Sequence, residues 1–159
     1  MDESTFVSIF GSVYEHSSWV AEAVWQHRPF ASLDALHAAM DSIVQGAGQS
    51  RQMTLIKAHP ELAGRLAGSR QLTAESRSEQ AQAGLGSLSE NLTKRMLELN
   101  DCYQIKFGFP FIICARLENL NTILAALANR LEHDQETEIT LALKEISKIA
   151  RLRLMDAIS

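Results

Sequence analysis

Three places in this 159-residue chain pair residue type with spacing in a way that could do chemistry. His59 stands in Lys57-Ala-His-Pro60, where a helix must stop because the residue before a proline is pushed out of the α region. That stop aims the ring away from the helix, and an imidazole with its ordinary pKa of about 6.5 is the natural proton carrier near neutrality. The plain alternative is a helix-terminus histidine whose ring caps a carbonyl, and a lone histidine favours it. In Thr73-Ala-Glu-Ser-Arg-Ser-Glu-Gln80, Ser76 and Glu79 have the capping-box spacing, in which each satisfies the other's backbone N–H. If Thr73 is the cap instead, Glu79 and Gln80 lie inside the helix, with a carboxylate available for acid–base work beside an amide. Spacing alone favours the cap. Third, Ala142, Ile146, Ile149, Arg153 and Ala157 form one helical face, while Lys144, Ser147, Lys148 and Arg151 form a polar stripe. Arg153 therefore points to the apolar side and needs an anionic partner, since an unpaired buried charge costs several kcal/mol. An internal carboxylate, a snorkelled path to the edge or a bidentate anionic ligand would each serve.

A fourth stretch, Phe107-Gly-Phe-Pro-Phe-Ile-Ile-Cys-Ala-Arg116, places Pro110 at an expected helix start. The N–H groups that follow would lack intrahelical partners and could meet a carbonyl or anion, or simply line a buried helix entry packed by phenylalanines. Glu15-His-Ser-Ser-Trp19 and Arg28-Pro-Phe30 are read as structural turns flanked by core aromatics.

The elements that must position these groups are helices nearly throughout, with apolar residues at helical rather than alternating spacing. Phe6, Ile9, Phe10 and Val13 share a face, and a second segment runs from about His16 to Gln26. Ser32 reads as the N-cap of a helix that Gly46 and Gly48 end. Further helices are expected at about 49–58, 73–85, 89–106, from Pro110 to about Arg130, and 136–157. The expected fold class is all-α: a single compact domain, residues 1–159, built as a bundle of about eight helices.

Composition narrows the function classes. Hydrophobic residues make up 46% and charged residues 21%, enough for a core and incompatible with a disordered tail. A formal net charge of −4 without a basic cluster disfavours nucleic acid as a partner. No apolar run reaches the roughly 18 residues of a membrane span. Two cysteines make no disulfide framework. No Walker A, dinucleotide-binding glycine motif, H-E-x-x-H or C-x-x-C occurs, and His16, His27 and His37 are too widely spaced for a local metal site. No nucleotide or metal cofactor is signalled. The opening residues lack a basic n-region and the chain ends Asp156-Ala-Ile-Ser159 without a peroxisomal tail, so the expected location is the cytoplasm.

Taken in order, a set of stretches resembles the decarboxylases of 2-oxo-4-hydroxy-4-carboxy-5-ureidoimidazoline (OHCU), a family of urate breakdown. They are Glu15-His-Ser-Ser-Trp-Val20, Arg28-Pro-Phe30, Ala58-His-Pro-Glu-Leu-Ala-Gly64, Ser76-Arg-Ser-Glu-Gln80, Ala83-Gly-Leu85, Leu99-Asn-x-x-Tyr103, Lys106-Phe-Gly-Phe-Pro-Phe-Ile112 and Lys148-Ile-Ala-Arg-Leu-Arg-Leu154. Each is short, but the ordered set is specific. The departures, Ser18 where proline is common and Gly86 where aspartate is common, lie outside the expected catalytic set. The resemblance implies an all-α homodimer that decarboxylates OHCU to (S)-allantoin and CO2 without a cofactor. It puts the catalytic roles on His59, Glu79 and Arg153. It puts substrate contacts on Pro60, Ser76, Arg77, Ser78, Glu79 and Gln80, and on the backbone of Phe111, Ile112, Ile113, Cys114 and Ala115. The three places singled out on physical grounds are thus the ones that the resemblance assigns to catalysis. The rival expectation is a non-catalytic helical module of the same fold that binds a protein or metabolite.

Overall fold

The structure, a computed structural model, describes residues 1–60 and 90–159. Seven α-helices lie among them: α1 (Glu3–Phe10), α2 (Trp19–Trp25), α3 (Leu33–Gln45), α4 (Gln49–Ala58), α5 (Glu90–Phe107), α6 (Leu120–Arg130) and α7 (Gln135–Ile158). A short 3-10 turn spans Ala115–Leu117. The described residues contain no strand, and the all-α expectation holds. The helix expected at 73–85 lies outside the described residues. None of the described helices is long and apolar enough to cross a membrane.

The chain divides into two compact units, Met1–Ala58 with Ile146–Ser159, and His59–Glu145. In the first unit, local signals set the helix ends. Asp2 accepts from the Thr5 N–H at 2.8 Å and Ser32 accepts from the Ala35 N–H at 3.1 Å, each satisfying an orphan donor of a first turn. The Gln52 side chain donates to the carbonyls of Val44 and Gln45, both at 3.0 Å, and so closes the end of α3 from the first turn of α4. Leu36, Met40 and Val44 recur at four-residue spacing on α3 and are buried. Phe6 meets Trp25 at 5.3 Å between ring centroids, joining α1 to α2. α2 starts at Trp19 rather than near His16, because His16 adopts φ 48°, a left-handed conformation that no α-helix accommodates.

In the second unit, α5 ends where Gly108 takes φ +77° and returns its N–H to the Gln104 carbonyl at 2.8 Å. A side chain would strain there. The long helix expected from Pro110 does not form: 110–114 is irregular, and α6 starts only at Leu120. The reason is a reciprocal cap. Asn119 accepts from the Thr122 N–H and Thr122 accepts from the Asn119 N–H, both at 2.9 Å, which fixes the helix start at that point.

The core of this unit contains charge. Glu138 is fully buried and accepts from the Tyr103 hydroxyl at 2.6 Å and from Arg130 Nε at 2.7 Å; its other oxygen lies 2.8 Å from His133 Nδ1. Burial, and then the hydrogen bond to Glu138, push the Tyr103 phenol well above its ordinary pKa. In the first unit burial, assisted by the Asp41 charge, raises Tyr14 in the same direction. Both phenols stay protonated in the fold at a pH where the unfolded chain ionises them, so the native state then holds more protons and stability falls as pH rises. Unfolding by urea between pH 9 and 11.5 should show stability lost above about pH 10, the ordinary phenol value. The loss should be smaller in Tyr103→Phe than in the parent chain; an identical slope would contradict the assignment.

Candidate active site

His59 is positioned as its sequence demands. α4 buries Leu55 and Ile56, ends at Ala58, and passes straight into His59-Pro60, so the histidine is the first residue off the helix. Its side chain is buried, with 6% exposure, and Pro60 is half-buried. His59 and Pro60 belong to the second unit, as do Phe111 to Ala115.

Arg153 belongs to the first unit and is 3% exposed, on the apolar side of α7 with Ile146 and Ile149. Ala157, the last position of the expected face, is exposed. Of the three partners left open for Arg153, the structure contains the internal carboxylate. Nη1 lies 3.0 Å from Glu15 Oε2 and donates to the Val13 carbonyl at 3.3 Å. Glu15 is 1% exposed and sits in the loop from α1 to α2, where Ser17 Oγ donates to the Glu15 carbonyl at 2.9 Å. The turn around Glu15, read from sequence as structural only, therefore carries the counter-charge of a candidate catalytic residue. The signal was a carboxylate between Tyr14 and Trp19, two aromatics that sequence alone marks as core. Arg151, two residues earlier on the helix, is exposed and pairs with Asp34 at 3.1 Å, as the polar stripe predicts.

The pairing changes what Arg153 offers. The Glu15 carboxylate offsets the charge of the guanidinium and holds its Nη1 in a fixed direction.

The segment from Phe111 to Ala115 is buried throughout. With no helix starting at Pro110, no helix dipole stands behind its N–H groups, and side chains orient the backbone instead. Arg130 Nη1 donates to the Ile112 carbonyl at 2.6 Å, and Glu145 Oε1 accepts from the Cys114 N–H at 3.2 Å. Arg130 also lies over the Phe111 ring at 4.6 Å, and Tyr103 meets that ring edge-on at 5.4 Å. Arg130, Glu138 and Glu145 were not singled out from sequence.

Ser76, Arg77, Ser78, Glu79 and Gln80 lie outside the described residues. Among the described residues no group of three or more His, Cys, Asp or Glu side chains is gathered to hold a metal ion.

Comparison with known proteins places this geometry in a family. The family model for OHCU decarboxylase matches residues 1–155. A 2-oxo-4-hydroxy-4-carboxy-5-ureidoimidazoline decarboxylase of Haloferax volcanii is 42% identical over the whole of this chain and 92% of its own length. One from Mus musculus is also 42% identical, over 98% of this chain and 88% of its own. Among solved structures, a crystal structure of (S)-allantoin synthase superposes with a TM-score of 0.80 at 31% identity. It covers 99% of this chain, which spans about half, 51%, of that one. A crystal structure of OHCU decarboxylase in the presence of (S)-allantoin gives 0.72 at 25% identity, covering 98% and 97%. The match runs almost from end to end and the stretches that hold His59, Phe111 to Ala115 and Arg153 all fall within it: the chain belongs to the OHCU decarboxylase family.

Proposed function

We propose that this protein decarboxylates OHCU to (S)-allantoin, releasing CO2, as a carbon–carbon lyase of urate degradation. The observation that carries the reading is the family match along the chain, together with a buried histidine held at the end of α4. We extend the reading to a homodimer, as the family resemblance implies, and to the cytoplasm.

The substrate places a carboxylate and a hydroxyl on one ring carbon, beside a C=N whose carbon bears the ureido arm. When the bond to CO2 breaks, its electron pair forms a double bond to that neighbouring carbon, and the C=N electrons move onto nitrogen, which takes up a proton. The substrate is its own electron sink. The resulting enol gives up its hydroxyl proton, and a proton added to the ureido-bearing carbon on one face yields (S)-allantoin. The protein must supply geometry and proton control. His59 takes the hydroxyl proton, and Glu79 sets the protonation state of the ring. Arg153, Gln80 and the peptide groups of Phe111 to Ala115 hold the ring and the ureido arm, with Pro60, Ser76, Arg77 and Ser78 as further contacts.

Arg153 could bind either the departing carboxylate or a ring oxygen. Holding the carboxylate would stabilise the ground state more than the transition state and slow the reaction. Neutralisation by Glu15 supports the other role, in which directed N–H donors meet an oxygen where negative charge grows.

Three outcomes test the reading. Added to freshly generated OHCU, the protein should raise the rate at which optical rotation from (S)-allantoin appears; decay at the spontaneous rate would leave a binding module of the same fold. Folded His59→Ala should lose about 10²–10⁴-fold in kcat if the ring is the acid–base group. Arg153→Met should lower stability by about 3–5 kcal/mol by removing the guanidinium that faces the buried Glu15 carboxylate. Adding Glu15→Leu should return most of that stability without returning turnover. A double variant with parental turnover would confine Arg153 to a structural role.

A further inference from the structure

The peptide groups on either side of Ile113 are gripped from opposite chemical ends. Arg130, 7% exposed, donates to the carbonyl of Ile112, and Glu145, 8% exposed, accepts from the N–H of Cys114. Both peptide bonds are trans. In a planar trans peptide the carbonyl and the N–H point in opposite directions. Holding the Ile112 carbonyl on Arg130 therefore turns the Ile113 N–H away from Arg130. Holding the Cys114 N–H on Glu145 turns the Ile113 carbonyl away from Glu145 in the same manner. Among the described residues no hydrogen bond reaches either the N–H or the carbonyl of Ile113, although the residue is only 7% exposed. A buried peptide donor and acceptor ordinarily have partners.

Arg130 is itself fixed. Its Nε is bound to Glu138 at 2.7 Å, and Glu138 also takes the Tyr103 hydroxyl. The guanidinium thus has one edge on a fully buried carboxylate and the other on a backbone carbonyl, which a flexible ammonium cannot reproduce.

We infer that Arg130 and Glu145 are positioning residues that orient the backbone of Ile113, so that its N–H and carbonyl meet a urea-type group of the ligand, which carries one acceptor and one donor of its own. The inference rests on the proposed substrate contact of Phe111 to Ala115 and adds to it the side chains that aim those peptide groups. Neither residue touches the reacting atoms. Their loss is felt in ligand geometry, not in proton transfer.

The test uses the full chain and four variants. Glu145→Gln keeps an acceptor for the Cys114 N–H, whereas Glu145→Met fills the space without one. Folded Glu145→Met should lose about 10–100-fold in kcat/KM for OHCU, since misplacing a bound group by an ångström has effects of that order. Glu145→Gln should stay within about threefold of the parent. The pH profile of kcat/KM should keep its shape in both, because His59 is untouched. Arg130→Lys, which keeps the charge facing Glu138, should fall like Glu145→Met, and it also decides the matter if Glu145→Met fails to fold. Equal kcat/KM for the Gln and Met variants, or parental kcat/KM in Arg130→Lys, overturns the inference. Hydrogen exchange at the Cys114 amide supplies a readout without turnover: faster exchange in Glu145→Met than in Glu145→Gln supports the grip, and equal exchange refutes it. A parent chain that leaves OHCU unchanged would instead defeat the proposed activity. His59→Ala, as the fourth variant, should lose kcat while keeping the parental Cys114 exchange rate, which separates the two failures.

Discussion

Among the described residues, two guanidinium groups are carried into apolar surroundings, and each brings a carboxylate with it. Arg153 is matched by Glu15 and Arg130 by Glu138, with both carboxylates almost wholly buried. Removing either ion from water costs several kcal/mol, and only a partner in good geometry offsets that. The constraint reaches well beyond the pairs. Within the first unit it binds the C-terminal part of α7 to the loop after α1, residues far apart in sequence. Within the second it binds α6 to the start of α7 and, through the Ile112 carbonyl, to an irregular stretch that secondary structure leaves unsupported. Short helices with modest cores gain a defined arrangement from these pairs, because a slip of one residue would strand a buried charge.

Part of this was legible in the sequence. Ser32 and Gly46 bound α3 where local chemistry says they should, and His59-Pro60 ends α4 for a reason contained in two residues. The orientation of Arg153 followed from helical spacing, and with it the need for a counter-charge. Its identity did not follow, because periodicity reports which face a residue occupies and not what faces it. Arg130 and Glu138 were hidden by good local explanations. A cation in the last turn of α6 and an acid in the first turn of α7 both suit the helix dipole, and neither asks for burial. The run after Pro110 misled for another reason: an apolar stretch reads equally as helix or buried chain, and the Asn119–Thr122 cap that decides between them lies beyond it. The contribution of Glu79 and its neighbours rests on the resemblance, since 61–89 lies outside the described residues.

The two ion pairs also bear on how such a small acidic chain could handle an acidic substrate. A positive pocket would bind the carboxylate strongly, and that affinity would oppose its departure as CO2. Among the described residues each buried arginine is paired with a carboxylate of the protein, so the proposed role asks hydrogen-bond direction of Arg153 more than net charge. Directed donors discriminate between ground and transition states better than a field does, because they act on the atom where charge appears. They are useful only if they do not move. A peptide group clamped through its neighbours, as at Ile113, or a guanidinium held by a buried carboxylate, as in Arg153, is fixed before any ligand arrives. For a reaction whose electron sink lies within the substrate, that prior fixing is the larger part of what a protein has left to provide, and burial of paired charges is the means by which this chain obtains it.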